Sequence, residues 1–172
     1  MTPETSNELE GINQGADSPM AALPEADKHL SLIEASCRYW FQDNGEVRNP
    51  FPESIQDELK EVAGQEYVQW LNNLTSEDRK EVGETELVEI FEQLLFSQAL
   101  QLVGEEDPEQ VLTIRFPFMP RVGDSVDDPA HGMSGITSRR LEQEDGEELR
   151  MIVELKSLDG DEPWQTVFVI PD

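Results

Sequence analysis

The sequence predicts an α+β chain, a helical N-terminal half followed by a small antiparallel β-barrel or sheet. Two changes along the chain carry that expectation. From Glu25 to Val103 apolar residues recur at steps of three and four, and beyond Pro108 the period drops to two. Ahead of both, residues 1–24 hold Thr, Ser, Asn, Glu, Gly and Pro with almost no large apolar side chain, and end at Leu23-Pro24. That composition reads as a disordered leader. The sequence thus divides into a leader (1–24), a helical region (25–106) and a small antiparallel β domain (107–172).

Leu30, Ile33, Cys37, Trp40 and Phe41 give Ala26–Phe41 one broad apolar face, and Asn44-Gly45 stops that helix. Asn49-Pro50-Phe51-Pro52 reads as a rigid extended link, with Pro52 opening the next helix and Glu53 suiting its positive end. Ile55, Leu59 and Val62 line a short helix that Gly64 is expected to end or kink, before a further piece, Gln65–Leu74, carrying Tyr67, Val68, Trp70 and Leu71. Thr75-Ser76-Glu77-Asp78 is a helix-start signature. The strongest helix is Glu84–Val103, apolar on most of its circumference and therefore expected at the centre of a bundle. Gly104 caps it and Asp107-Pro108 is expected to close the helical half.

Four β runs are expected after that point. Val111–Phe118 is the first, with Pro117 marking an edge or a strand end. Gly135–Leu141, Leu149–Leu155 and Trp164–Ile170 follow. An acidic hairpin loop, Glu142–Glu148, centres on Asp145-Gly146, and Asp159-Gly160 marks the last turn. Short strands at this spacing, joined by Asp-Gly turns, make a small antiparallel sheet or barrel.

Val122-Gly123-Asp124-Ser125-Val126, followed by His131-Gly132-Met133-Ser134-Gly135-Ile136 and two β runs, is similar to the layout of SH3-like small barrels. It looks most like the Tudor-like tail domains of some bacterial repair helicases and the related KOW-type modules. The resemblance covers about fifty residues within 110–172, and residues 1–106 carry none. Where nucleic-acid-binding relatives have basic loops, this chain has Asp127-Asp128 and Glu142-Gln143-Glu144-Asp145. The resemblance therefore implies protein contact and not nucleic-acid binding.

Charge sets the strongest limit on function. The chain of 172 residues has 38 Asp and Glu against 12 Lys and Arg, a formal net charge of −26. The excess is spread: −5 over residues 1–25, −12 over 26–106 and −9 over 107–172. Such a surface repels phosphate backbones and anionic lipid and attracts basic proteins. Solubility or adaptation to a salty medium would produce the same composition. No run is long and apolar enough to span a bilayer, and the first residues lack the pattern of a signal peptide, so the expected compartment is cytoplasmic.

Residues capable of chemistry are few. His29 and His131 stand about a hundred residues apart with no metal-binding spacing around either. Asp159-Gly160-Asp161-Glu162 lacks the alternating oxygen ligands of a calcium loop. Cys37, the only cysteine, falls in a helical run and reads as a buried small hydrophobe. There is no nucleophile elbow and no phosphate-cradling glycine loop. The reading is a non-enzymatic interaction or regulatory protein with no cofactor and no metal, engaging a basic protein. A nucleic-acid mimic and an enzyme of unrecognised chemistry are the alternatives. The candidate binding residues are Trp164, whose ring would attract cations if exposed, and the acidic loop residues Glu142, Glu144 and Asp145.

Overall fold

The computed structural model describes residues 25–45, 47–143, 148–158, 160 and 162–170. The expected leader, residues 1–24, lies outside these. Helix α1 (Glu25–Trp40) buries Leu32, Ile33, Ser36, Cys37 and Trp40, whereas Leu30 is 60 % exposed. The inward face is therefore rotated from the one expected, centred on Leu32 and Ser36 as well as Ile33 and Cys37. Phe41 adds one more helical hydrogen bond to Cys37, and a tight turn bridging Asn44 and Val47 ends the element.

Phe51 is almost fully buried in the extended link and lies 4.9 Å from Phe96, ring centre to ring centre. A single 3-10 turn (Glu53–Ile55) leads into α2 (Gln56–Asn73), which runs without interruption. The expected break at Gly64 does not occur. A helix tolerates one interior glycine when its neighbours are packed, and here Leu59, Ala63 and Tyr67 anchor α2 on both sides of it. After Leu74, Thr75 and Asp78 exchange the hydrogen bonds of a capping motif: Asp78 N–H donates to Thr75 Oγ1, and Thr75 Oγ1 donates to Asp78 Oδ2 at 2.6 Å. The one-turn helix α3 (Asp78–Glu81) follows.

Helix α4 (Glu84–Val103) is the centre of the helical part, in contact with α1, α2 and α5. Its Phe91, Leu95 and Ala99, four residues apart, are wholly buried and meet the equally spaced Leu59, Ala63 and Tyr67 of α2 in one apolar cluster. Gly104 ends α4 at φ 67°, a left-handed conformation that glycine adopts without a Cβ clash.

The expected first strand is instead a helix, α5 (Pro108–Arg115). The local signals for it are Pro108 in the first turn and Asp107, whose side chain accepts the Gln110 N–H at 3.1 Å. Val111, Thr113 and Ile114 resemble a strand in composition, but Ile114 joins the helical apolar cluster and burial outweighs their modest helix penalty. The period change thus falls after Phe116–Met119, not at Pro108.

Among the described residues β1 (Ser125–Asp128), β2 (Gly132–Glu142), β3 (Arg150–Ser157) and β4 (Pro163–Val169) form one antiparallel sheet in the order β1-β2-β3-β4. It curls into a half-barrel, compatible with a small barrel-like fold. The strands expected over 135–141, 149–155 and 164–170 are all present, with β2 longer at its start. Ile136, Met151, Val153 and Leu155 form the inner face, with Phe116, Met119, Val126, Leu141, Trp164, Phe168 and Ile170 packed on them. A bulge between Ile136 and Ser138 inserts one residue, so Arg139 and Leu141, not Ser138 and Arg140, continue the inner face after Ile136.

Candidate protein-binding surfaces

Three arginines join the sheet to the helical part. Arg48, in the link before α2, makes a two-pronged ion pair with Asp124 at 2.6 and 2.7 Å. Burial pushes the Asp124 carboxyl up, but the Arg48 guanidinium and the Arg121 amide N–H outweigh it and hold the group below its ordinary range. Arg121 donates to the carbonyls of Asn49, Arg48 and Pro117, and burial, ahead of the neighbouring Arg48 and Arg139 charges, lowers its pKa. Arg139, with a fully buried side chain, reaches from β2 to Glu109 at 2.7 Å, to Thr113 Oγ1 and to the Pro120 carbonyl. Nothing in the composition marked these arginines. The usable signal was the pair Arg139-Arg140 inside an expected strand, where alternation turns one of the two inward, masked because the bulge reverses which one it is.

Bases are consumed elsewhere too. Lys60 pairs with Glu34, Arg140 with Glu154, and Arg79 donates twice to the Leu71 carbonyl. Carboxylates are treated differently. Glu77, Asp78, Glu81, Glu84, Glu86 and Glu89 all stand exposed along α3 and the first half of α4, with only Arg79 and Lys80 among them. Among the described residues the helical part therefore carries most of the excess negative charge.

Trp164, the second residue of β4, stands on the inner row opposite Leu155. It is half-buried; its indole N–H donates to Ser134 Oγ at 3.1 Å, and its ring stacks on His131 with centres 4.3 Å apart and planes 10° from parallel. His131 in turn contacts Asp128 at 2.8 Å, and that bond, with the Ala130 N–H, holds the Asp128 carboxyl below its usual range. One end of the sheet, where the turn between β1 and β2 meets the start of β4, thus presents an aromatic pair with a carboxylate beside it. Glu142 is exposed at the far end of β2, opposite Arg150. Trp164 lies at the opposite end of the sheet from Glu142, so the structure does not gather these two into one patch. Glu144 and Asp145 lie outside the described residues.

A groove between α1 and α2 offers the other concave surface. Leu30, Ile33, Gly64 and Val68 line it together with Glu34, Lys60 and Glu61, and its volume is about 530 Å³. His29, which the sequence left without a role, sits in the adjoining hollow with Nδ1 3.2 Å from the Tyr67 hydroxyl. Burial pushes the Tyr67 phenol up to about 12 and the Cys37 thiol up to about 11. Among the described residues no group of three His, Cys, Asp or Glu is placed to hold a metal ion, and no helix is long and apolar enough to cross a membrane. Trp40 and Trp70 pack in or against the helical core, Trp40 donating to Glu92 at 2.8 Å.

No family model, curated protein or solved structure matches this chain.

Proposed function

We propose that this protein acts by binding and not by catalysis, as an acidic interaction or regulatory protein that engages a basic protein. One observation carries the reading: internal pairing takes up Arg48, Lys60, Arg79, Arg121, Arg139 and Arg140, while the carboxylates of α3 and the first half of α4 remain exposed. A chain that spends at least half of its twelve cations on its own fold presents a predominantly negative field, which speeds encounter with a positive surface and selects against a negative one. The Trp164–His131 stack and the loop at Glu142, Glu144 and Asp145 are the proposed contact points on the sheet; the acidic face of α4 is the proposed contact on the helices.

The test is retention of partners from native lysate at low and at high ionic strength. Captured proteins should be basic and should be released as salt shortens the reach of the field, whose Debye length is about 8 Å at physiological ionic strength. Reversing the loop by Glu142→Lys, Glu144→Lys and Asp145→Lys should weaken capture. Equal retention at both salts would remove electrostatics from the reading.

A further inference from the structure

The two edges of the sheet differ. Edge strand β1 spans four residues and carries Asp127 and Asp128, the shortness and charge by which proteins protect a sheet edge from pairing. Edge strand β4 spans seven residues, Pro-Trp-Gln-Thr-Val-Phe-Val, without a single charge, in a chain of which 29% is charged. Among the described residues it has one neighbour, β3. Val167 and Val169 are 50 % and 52 % exposed on the outer face.

The ladder shows which backbone groups remain open. Ile170 N–H donates to the Leu149 carbonyl in the register that pairs Arg150 with Val169. Hydrogen-bonded pairs alternate along an antiparallel ladder, so Trp164, Thr166 and Phe168 face β3, while Gln165, Val167 and Val169 turn their N–H and C=O groups to the open edge. Pro163, the one residue that cannot donate, begins the strand.

From this geometry we propose that β4 pairs with β4 of a second copy, antiparallel about Thr166, to make a continuous eight-stranded sheet across a two-fold axis. In that register Gln165 lies opposite the partner's Val167, and each pair exchanges both open hydrogen bonds. Pro163 falls opposite the partner's Val169, whose N–H its carbonyl can accept; with no N–H to give back, this terminal pair makes one bond where Gln165 and Val167 make two. Charge favours a second copy here over the acidic face of α3 and α4. Among the described residues the outer face of β2 and β3 holds Arg140, Arg150 and Lys156 against Glu142 and Glu154, so the strands themselves are locally balanced on this face. Two copies approaching through the face of α3 and α4 would instead oppose rows of carboxylates. The pairing is isologous, and each copy covers the other's exposed valines.

Salt separates this inference from the basic-partner reading, because the signs are opposite. Self-pairing brings together two negative bodies, so added salt should strengthen it, whereas capture of a basic protein should weaken. Sedimentation equilibrium of the full chain at 0.05 and about 0.5 M NaCl should give a dimer whose dissociation constant falls as salt rises. Val167→Pro deletes an N–H that faces the edge and not β3, and should weaken association about tenfold or more. Val167→Glu keeps the backbone and sets a carboxylate at the seam; it should weaken association similarly, guarding against misfolding of the proline variant. A monomer at every salt and concentration would overturn the proposal. So would a dimer that both variants leave unchanged, a dimer that dissociates as salt rises, or a monomer whose β4 amides are protected only by an added basic peptide.

Discussion

The helical part and the sheet solve the same problem, folding within an acidic chain, by opposite means. In the helices the interior is mostly apolar and uncharged: Leu59, Ala63, Tyr67, Phe91, Leu95 and Ala99 are wholly buried, Ser36 and Thr113 are the buried polar residues, and charge is kept to the outward faces. The sheet has a smaller apolar cluster and completes its inner face with Arg139, whose fully buried side chain is satisfied by Glu109, Thr113 and Pro120. Arg48 and Arg121 reinforce the same junction. A thin sheet that buries few large side chains gains from polar anchoring to its neighbour, while a helical core of this size needs none. The helices should therefore respond to loss of volume, and the sheet to loss of specific charged contacts.

The largest effect should come from the helical side. Phe91→Ala empties the centre of the α2–α4 contact and should cost about 3–5 kcal/mol in urea unfolding, enough to threaten folding altogether. Loss of less than about 1 kcal/mol would mean that the α4 contact is not where stability resides.

Removing the buried guanidinium with Arg139→Ala should cost about 2–3 kcal/mol, less than for a fully enclosed pair because Glu109 remains 38 % exposed. The neighbouring Arg140→Ala, a surface pair with Glu154, should stay within about 1 kcal/mol. Similar costs for the two would erase the distinction between inner and outer arginine.

Next in size is the Arg48–Asp124 pair, which should contribute about 1 kcal/mol at neutral pH and show itself in the acid limb. The folded pKa of Asp124 lies below its unfolded value. Its contribution is therefore complete above the ordinary carboxylate range and is lost as pH falls through the folded value. Asp124→Asn should reduce stability at pH 7 and leave it nearly unchanged at about pH 2. An equal deficit at both pH values would assign the effect to packing.

The smallest change should be a gain. A Cβ at Gly64 would meet Ile33 Cδ1 at 3.8 Å, an ordinary contact, and the residue is helical. Gly64→Ala should thus add about 0.5–1 kcal/mol. A destabilised variant would show that the α1–α2 groove closes more tightly on Gly64 than its geometry allows.

The strong helical patterns were legible because each carries its own signal. Glu84–Val103 was bounded by Gly83 and Gly104 and nearly encircled by apolar residues, and it forms with those bounds. Thr75–Asp78 showed its cap in sequence and makes it. Of the candidate site, the stack of Trp164 on His131 was not legible: the two stand 33 positions apart, and only the pairing of β1, β2, β3 and β4 brings them together.

By itself the sequence determined the class, an α+β chain with its helices first, and the sign of its field, since period and net charge are local or additive properties that need no knowledge of neighbours. Tertiary structure decided what lacked a local majority. Pro108–Arg115 holds an apolar, β-branched run too short for its period to discriminate, and it became helix because Ile114 has a place in the helical core. Gly64 stayed inside α2 because the residues on either side of it are packed. Arg139 turned inward because one inserted residue in β2 reverses the alternation, an outcome set by pairing with β3 and by the oxygens of Glu109, Thr113 and Pro120 waiting across the junction. In each case the deciding energy comes from contacts distant in sequence, which a pattern read along the chain does not contain.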